Sequence, residues 1–156
     1  MHVPRVAVIG SGDCDDDVAA EAEALGAGIA ALGAELVCGG RGGVMAAACR
    51  GAQGAGGRTI GILPDSEREA ANAWIDVPVA TGFGPARNAL VPLNGDVVVA
   101  IRGGAGTLTE LGFAAIYGRP VIGLGTHDLP SVQPARDVEH ALELVRKALR
   151  EQGFEA

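Results

Sequence analysis

Lysine is almost missing from this chain of 156 residues: Lys147 is its single example, and arginine supplies the rest of the 12 basic side chains. A phosphate cradle of the Gly-Lys-Ser/Thr type needs a lysine beside its glycines, and pyridoxal-phosphate chemistry needs one in its pocket, so both are excluded. Aromatic residues make up only 3%. Cys14, Cys38 and Cys49 are odd in number, widely spaced and without a C-x-x-C pair, which argues against a disulfide scaffold and a zinc site and suits a reducing cytoplasm. His2, His127 and His140 show no ligand spacing and read as surface or loop residues, so no metal is expected. No apolar run approaches the roughly 18 residues of a membrane span, and the first ten residues lack the length of a signal segment. With 19 acidic side chains the net charge is −7, which disfavours broad contact with nucleic acid or anionic lipid. An anionic ligand must therefore be held locally. The expectation is a soluble cytoplasmic protein.

Glycine is abundant, with 25 residues. The glycines follow no three-residue period and lie among Val, Ile, Leu and Ala runs, so the excess is expected in loops between packed elements. Residues 6–9, 35–38, 59–63, 75–79, 96–101 and 120–124 read as strands, most of them apolar throughout. Such strands are buried on both faces, as in a parallel sheet covered by helices. Val18, Ala22, Leu25, Ile29 and Leu32 form one stripe of a helix over 15–32, with Asp15, Asp16 and Asp17 at its positive end. Helices are also expected over 45–52 and 137–151, while 65–73 reads as a loop with a short helix and 126–136, with two prolines, as irregular. The fold class is α/β: one doubly wound domain over 1–156, mainly parallel, with helices on both faces.

Three glycine loops follow strands. Gly10-Ser11-Gly12 opens like a dinucleotide fingerprint, but Asp15 stands where the third glycine belongs and four aspartates crowd positions 13–17, which opposes a pyrophosphate. NAD and FAD are poor candidates; Ser11 can still reach a smaller ligand. Gly39-Gly40-Arg41-Gly42-Gly43 either lets backbone amides approach a phosphate or carboxylate met by Arg41, or serves close packing. Arg102-Gly103-Gly104-Ala105-Gly106-Thr107 follows the most apolar strand and opens a helix, a phosphate-sized cradle in which Thr107 adds a hydroxyl donor. Thr107 and Glu110 also fit a capping box worth about 1 kcal/mol. A Glu110 carboxylate in the first helical turn is expected to stay ionised, suited to electrostatic or base roles. Pro85 starts a further helix that puts Arg87 and Asn88 in its first turns, facing the crevice where loops at strand carboxyl ends converge.

Together, Gly39-Gly-x-Gly-Gly-Val-Met45, Pro85-Ala-Arg-Asn88 and Gly103-Gly-x-Gly-Thr-x-x-Glu110 resemble the LOG or "lysine decarboxylase-like" Rossmann family, in order and spacing most like its branch of molybdenum-cofactor carrier proteins. The resemblance implies a Rossmann-like nucleotide-binding domain, a homodimer or higher homo-oligomer, and a phosphorylated small-molecule partner. In the LOG enzymes such motifs form a site that cleaves the N-glycosidic bond of cytokinin nucleoside 5′-monophosphates; it implies Arg87 and Glu110 as catalytic residues and residues 103–107 as the 5′-phosphate loop. Arg102 and Asn88 depart from that pattern, which has proline before the glycine pair and lysine after the arginine. Arg102 either adds a phosphate contact or occludes the loop. Asn88 agrees better with the carrier branch, which is implied to bind a phosphorylated pterin without turnover. Both readings stand: a carrier of an AMP-like nucleotide or the molybdenum cofactor through Gly10, Ser11, Gly39, Gly40, Arg41, Gly42, Gly43, Arg87, Asn88, Gly103, Gly104, Gly106, Thr107 and Glu110, or a phosphoribohydrolase. A domain that binds no ligand is the third. No motif requires a cofactor, and the lysine count contradicts the decarboxylase label.

Overall fold

The apolar runs become strands whose alternate residues bury on opposite faces of one sheet. In the computed structural model, which describes residues 2–156, β1 spans Arg5–Gly10, β2 Glu35–Cys38, β3 Thr59–Leu63, β4 Val77–Ala80, β5 Val97–Ile101, β6 Val121–Leu124 and β7 Val132–Pro134. All pairings are parallel, in the order β4-β3-β2-β1-β5-β6-β7. Val6, Val8, Val97, Val99 and Ile101 face α1 (Asp16–Ala31), α2 (Val44–Gly54) and α5 (Val138–Glu151). Ala7, Ile9, Val98 and Ala100 face α3 (Leu90–Leu93) and α4 (Ala105–Ile116). The doubly wound α/β reading is therefore correct. No helix is long and apolar enough to cross a membrane among the described residues.

Local chemistry explains where the helices begin. Asp15 caps α1, its Oδ1 accepting from the Val18 amide at 2.8 Å, and Asp137 caps α5 by accepting from the His140 amide at 2.8 Å. Each such cap stabilises its helix by about 1 kcal/mol. The α1 stripe is the expected one: Val18, Ala22, Leu25 and Ile29 are all buried.

Four expectations need correction. Glycine is not confined to loops, because Gly26 and Gly51 let α1 and α2 touch backbone to backbone; a methyl on either would overlap a main-chain carbonyl, Ala48 or Glu23 respectively. The 126–136 segment holds β7, an edge strand beside β6, where the missing N–H of Pro134 breaks no interior ladder. Residues 84–89, after the glycine at 82, form a 3-10 turn leading into α3 rather than a regular helix. Ile75 also lies outside β4, because Asp76 turns back to bond Thr59 at both its amide and its carboxylate before pairing starts at Val77.

Candidate functional site

Strand order decides which loops meet. With β1 between β2 and β5, their carboxyl ends bring residues 10–13, 39–43 and 102–104 to one rim, where the order of the strands reverses direction. The first two loops are locked together: the Val44 amide donates to the Ser11 carbonyl at 3.0 Å, and Gly43, at φ 59°, lies so close to residues 11–13 that a side chain has no space. Gly10 makes the same close approach to Val44, and Gly42 lies against the Gly12 carbonyl. The Ser11 carbonyl thus holds the two loops together, and Gly42 and Gly43 allow their close packing.

The third loop is open. Helix α4 begins at Ala105 after Gly104, and no side chain caps it. Thr107 is its third residue, and its buried side chain is seated on Gly103, whose φ of 103° admits no ordinary L side chain. The expected capping box is therefore not formed, and among the described residues the amides of Ala105, Gly106 and Thr107 have no protein acceptor. Three donors at the positive end of a helix are a ready anion seat. His127 flanks it, with Nε2 3.1 Å from the Gly104 carbonyl. Twenty-three residues separate that pair, and no sequence spacing pointed to it.

Glu110 lies in the second turn of α4, not the first, and is 6% exposed. Burial pushes its pKa up to about 8, against the opposing pull of Arg87, so it is mostly protonated at neutral pH. This corrects the expectation of an ionised carboxylate: the group suits proton donation. Arg87 is half-buried in the 3-10 turn, its guanidinium lying directly over Gly39, where a methyl would overlap it. Its Nε is buried without a hydrogen-bond partner among the described residues. Burial lowers its pKa while Glu110 raises it, and arginine stays charged throughout. The structure thus brings Arg87, Glu110, Gly39 and the α4 amides together.

Other expected ligands are already engaged. Arg41 is exposed, and one of its guanidinium nitrogens donates to both carboxylate oxygens of Asp65, at 2.8 and 3.1 Å. Asn88 donates to Thr109 Oγ1 at 3.0 Å, and that hydroxyl donates to the Gly106 carbonyl at 2.6 Å, tethering the turn to α4. Arg102 neither occludes the loop nor reaches into it: its backbone sits at φ 49°, and its guanidinium turns to Glu21, 3.6 Å away. Gly40, at φ 77°, donates its amide to Cys38 Sγ at 3.3 Å.

The family model for the SLOG cluster4 family matches residues 3–152. The chain belongs to the SLOG cluster4 family. Solved structures similar to this SLOG cluster4 chain include the molybdenum cofactor binding protein of the phototrophic bacterium Rippkaea orientalis, 36% identical, with a TM-score of 0.89 over 96% of this chain and 99% of that one. The molybdenum cofactor carrier protein of Chlamydomonas reinhardtii is also 36% identical, with a TM-score of 0.86 over 94% of this chain and 99% of that one. An uncharacterized protein of Archaeoglobus fulgidus is 36% identical over 124 residues, 80% of this chain and 82% of its own. DNA processing protein A of Helicobacter pylori, at 21% identity and a TM-score of 0.70, shares the fold alone. The resemblance to the carrier branch, drawn from three motifs, thus agrees with the SLOG cluster4 match.

Proposed function

We propose that this protein binds a phosphorylated, nucleotide-like small molecule, a nucleoside 5′-monophosphate or a molybdopterin-type cofactor, and carries it without chemical change. The observation that supports this most is the uncapped start of α4, three free amides beside a glycine that no side chain can replace. Arg87 adds a buried donor lacking an acceptor, which a ligand oxygen would supply. The likeness to carrier and binding proteins of the molybdenum cofactor favours the same class of ligand. Gly103, Gly104, Gly106, Thr107 and Arg87 hold the phosphate in this reading, and Gly39 and Gly40 form the opposite wall. Titration calorimetry with AMP and with isolated molybdenum cofactor tests it: binding is expected, and Arg87→Ala should weaken it at least about tenfold by removing a charged hydrogen bond. Flat titrations, with no ligand shifting the thermal midpoint, would instead favour a domain without a ligand.

A second reading rests on the nearness of Arg87 to a buried, protonated Glu110, each of which shifts the other's pKa. A phosphoribohydrolase needs an acid for the departing base, which a protonated Glu110 fits, and a cation that fixes the substrate, which Arg87 fits. Incubation with AMP and adenine-modified analogues should then release free base, and Glu110→Gln should abolish the release. Binding without release leaves the carrier.

The protein is further proposed to act as a homodimer in the cytoplasm. A groove of about 500 Å³ opens on the α3 side of the sheet, lined by Ile60, Ile62, Val77, Val79 and Leu90, and Leu93, Leu108 and Ile116 stand exposed on that same side. Hollow and apolar ridge on one surface suit a two-fold pairing. Light scattering should give twice the mass of 15.6 kDa, and Ile116→Asp should return it to one chain.

A further inference from the structure

Behind Gly39 lies a pair of sulfurs that the binding reading does not use. Cys38 ends β2 and Cys49 lies on α2; both are fully buried, and their Sγ atoms are 3.5 Å apart. The pair is asymmetric. Cys38 Sγ accepts from the Gly40 amide at 3.3 Å and feels the charge of Arg87, so it is the better thiolate and the natural acceptor of the contact between the two sulfurs. That contact lowers the pKa of Cys38 more than burial raises it, and the same contact, with burial, pushes Cys49 up. Cys14 has neither partner: burial and then Asp15, Asp13 and Asp16 raise its pKa, which makes it a sluggish control within the same chain.

We propose that Cys38 and Cys49 are a reversible dithiol–disulfide couple, oxidised by a hydroperoxide, whose closure reshapes the Gly39–Gly43 wall of the anion site. The closed fold covers both sulfurs, so the peroxide meets Cys38 when local opening uncovers it; the Cys38 sulfur then attacks the terminal peroxide oxygen, the O–O bond breaks, and the departing oxide takes up a proton as water or an alcohol. Cys38 is then a sulfenic acid. The Cys49 sulfur attacks the Cys38 sulfur, passing its proton to the leaving hydroxyl, which departs as water. Two thiols and one hydroperoxide thus give one disulfide, one water and one alcohol or second water. The sulfurs lose two electrons and the peroxide oxygens gain them. A dithiol reductant reverses the sequence by exchange.

Closure must alter the wall. The sulfurs draw in from 3.5 Å to about 2.05 Å, and an uncharged disulfide sulfur is a poorer acceptor for the Gly40 amide. Gly39 follows Cys38 directly and supports the Arg87 guanidinium with no room to spare, so a shift of its backbone moves that side chain. The disulfide rests on the sulfur geometry alone; the effect on affinity rests on the proposed anion site.

The experiment oxidises the reduced, folded full chain with stoichiometric hydrogen peroxide, alkylates it under denaturing conditions and maps its peptides by mass spectrometry. Three free thiols should fall to one, Cys14, with residues 38 and 49 linked, two hydrogens lost, and full recovery with dithiothreitol. Cys49→Ser should stop at a Cys38 sulfenic acid that dimedone traps. Persistence of both thiols while Cys14 oxidises, or a link between chains, would overturn the couple. Hydrogen exchange at amides 39–45 should rise on oxidation, and AMP affinity should change by about tenfold, a usual size for coupled sites. A disulfide that leaves both exchange and affinity unmoved would overturn the coupling. A disulfide that changes exchange in a protein that binds neither AMP nor molybdenum cofactor in either state would support the couple and refute the ligand reading alone.

Discussion

Glu110 shows how far a residue's behaviour depends on where its helix starts. Its ordinary pKa of 4.5 rises to about 8 in the folded protein because burial penalises the charge more than Arg87 favours it. Between those two values the native state keeps a proton that the unfolded chain has released. Stability therefore falls as pH rises from about 4.5 to about 8 and is level above that, a loss on the order of a few kcal/mol in total. Urea midpoints measured from pH 5 to pH 9 should show this slope in the natural protein and lack it in Glu110→Gln; parallel curves would mean that the carboxyl is not desolvated. Ligand binding should carry the same signature. A neutral Glu110 leaves the charge of Arg87 uncancelled for an anion, so AMP affinity should drop between pH 7 and pH 9, and the Gln variant should stay flat. Reading Thr107 as a possible cap placed Glu110 in the first turn; the helix in fact starts three residues earlier, with Gly104 at the cap position, and only the fold shows that the next turn is buried.

Among the elements, α1 and α2 form a contact that a sequence pattern built on apolar side chains does not reveal. Small residues carry it, and Gly51 is the clearest test. In an exposed helix interior, Gly→Ala gains up to about 1 kcal/mol from propensity. At Gly51 the new methyl would meet the Glu23 carbonyl, and relief requires separating two helices. Gly51→Ala should therefore destabilise by about 1–3 kcal/mol or more. Gly54, at the end of the same helix, has nothing within 4 Å of a new Cβ, so Gly54→Ala should be neutral or stabilising by a few tenths of a kcal/mol. Chemical denaturation of the two variants decides between close helix contact and loose packing, since only the former separates their signs. The strands were readable because buried parallel strands are continuous Val and Ile runs. Strand β7 was not, because Pro134 argues against a strand unless its place at the edge is known, and edge position is a property of the whole sheet.

At the scale of the whole molecule, the sheet order explains why three distant glycine loops could be read as one site: parallel strands put every βα loop at the same end. It does not explain which cations remain free. In sequence Arg41 and Arg102 stood beside Arg87 as further possible phosphate contacts, yet Asp65 and Glu21 engage the first two across 24 and 81 residues, and of the three only Arg87 keeps a buried donor without an acceptor among the described residues. This has a measurable result in a molecule of net charge −7. An anionic ligand is repelled at long range and attracted only at contact, by a half-buried guanidinium and helix amides that salt screens weakly. Raising ionic strength from about 0.02 to about 0.2 M shortens the screening length below 10 Å, so it should speed AMP association in stopped-flow and leave affinity unchanged or slightly improved. A binder that relied on exposed arginines would behave oppositely. A tenfold loss of affinity over that range would show that Arg41 leaves Asp65 to hold the ligand, and would move the anion seat from the start of α4 to the loop after β2.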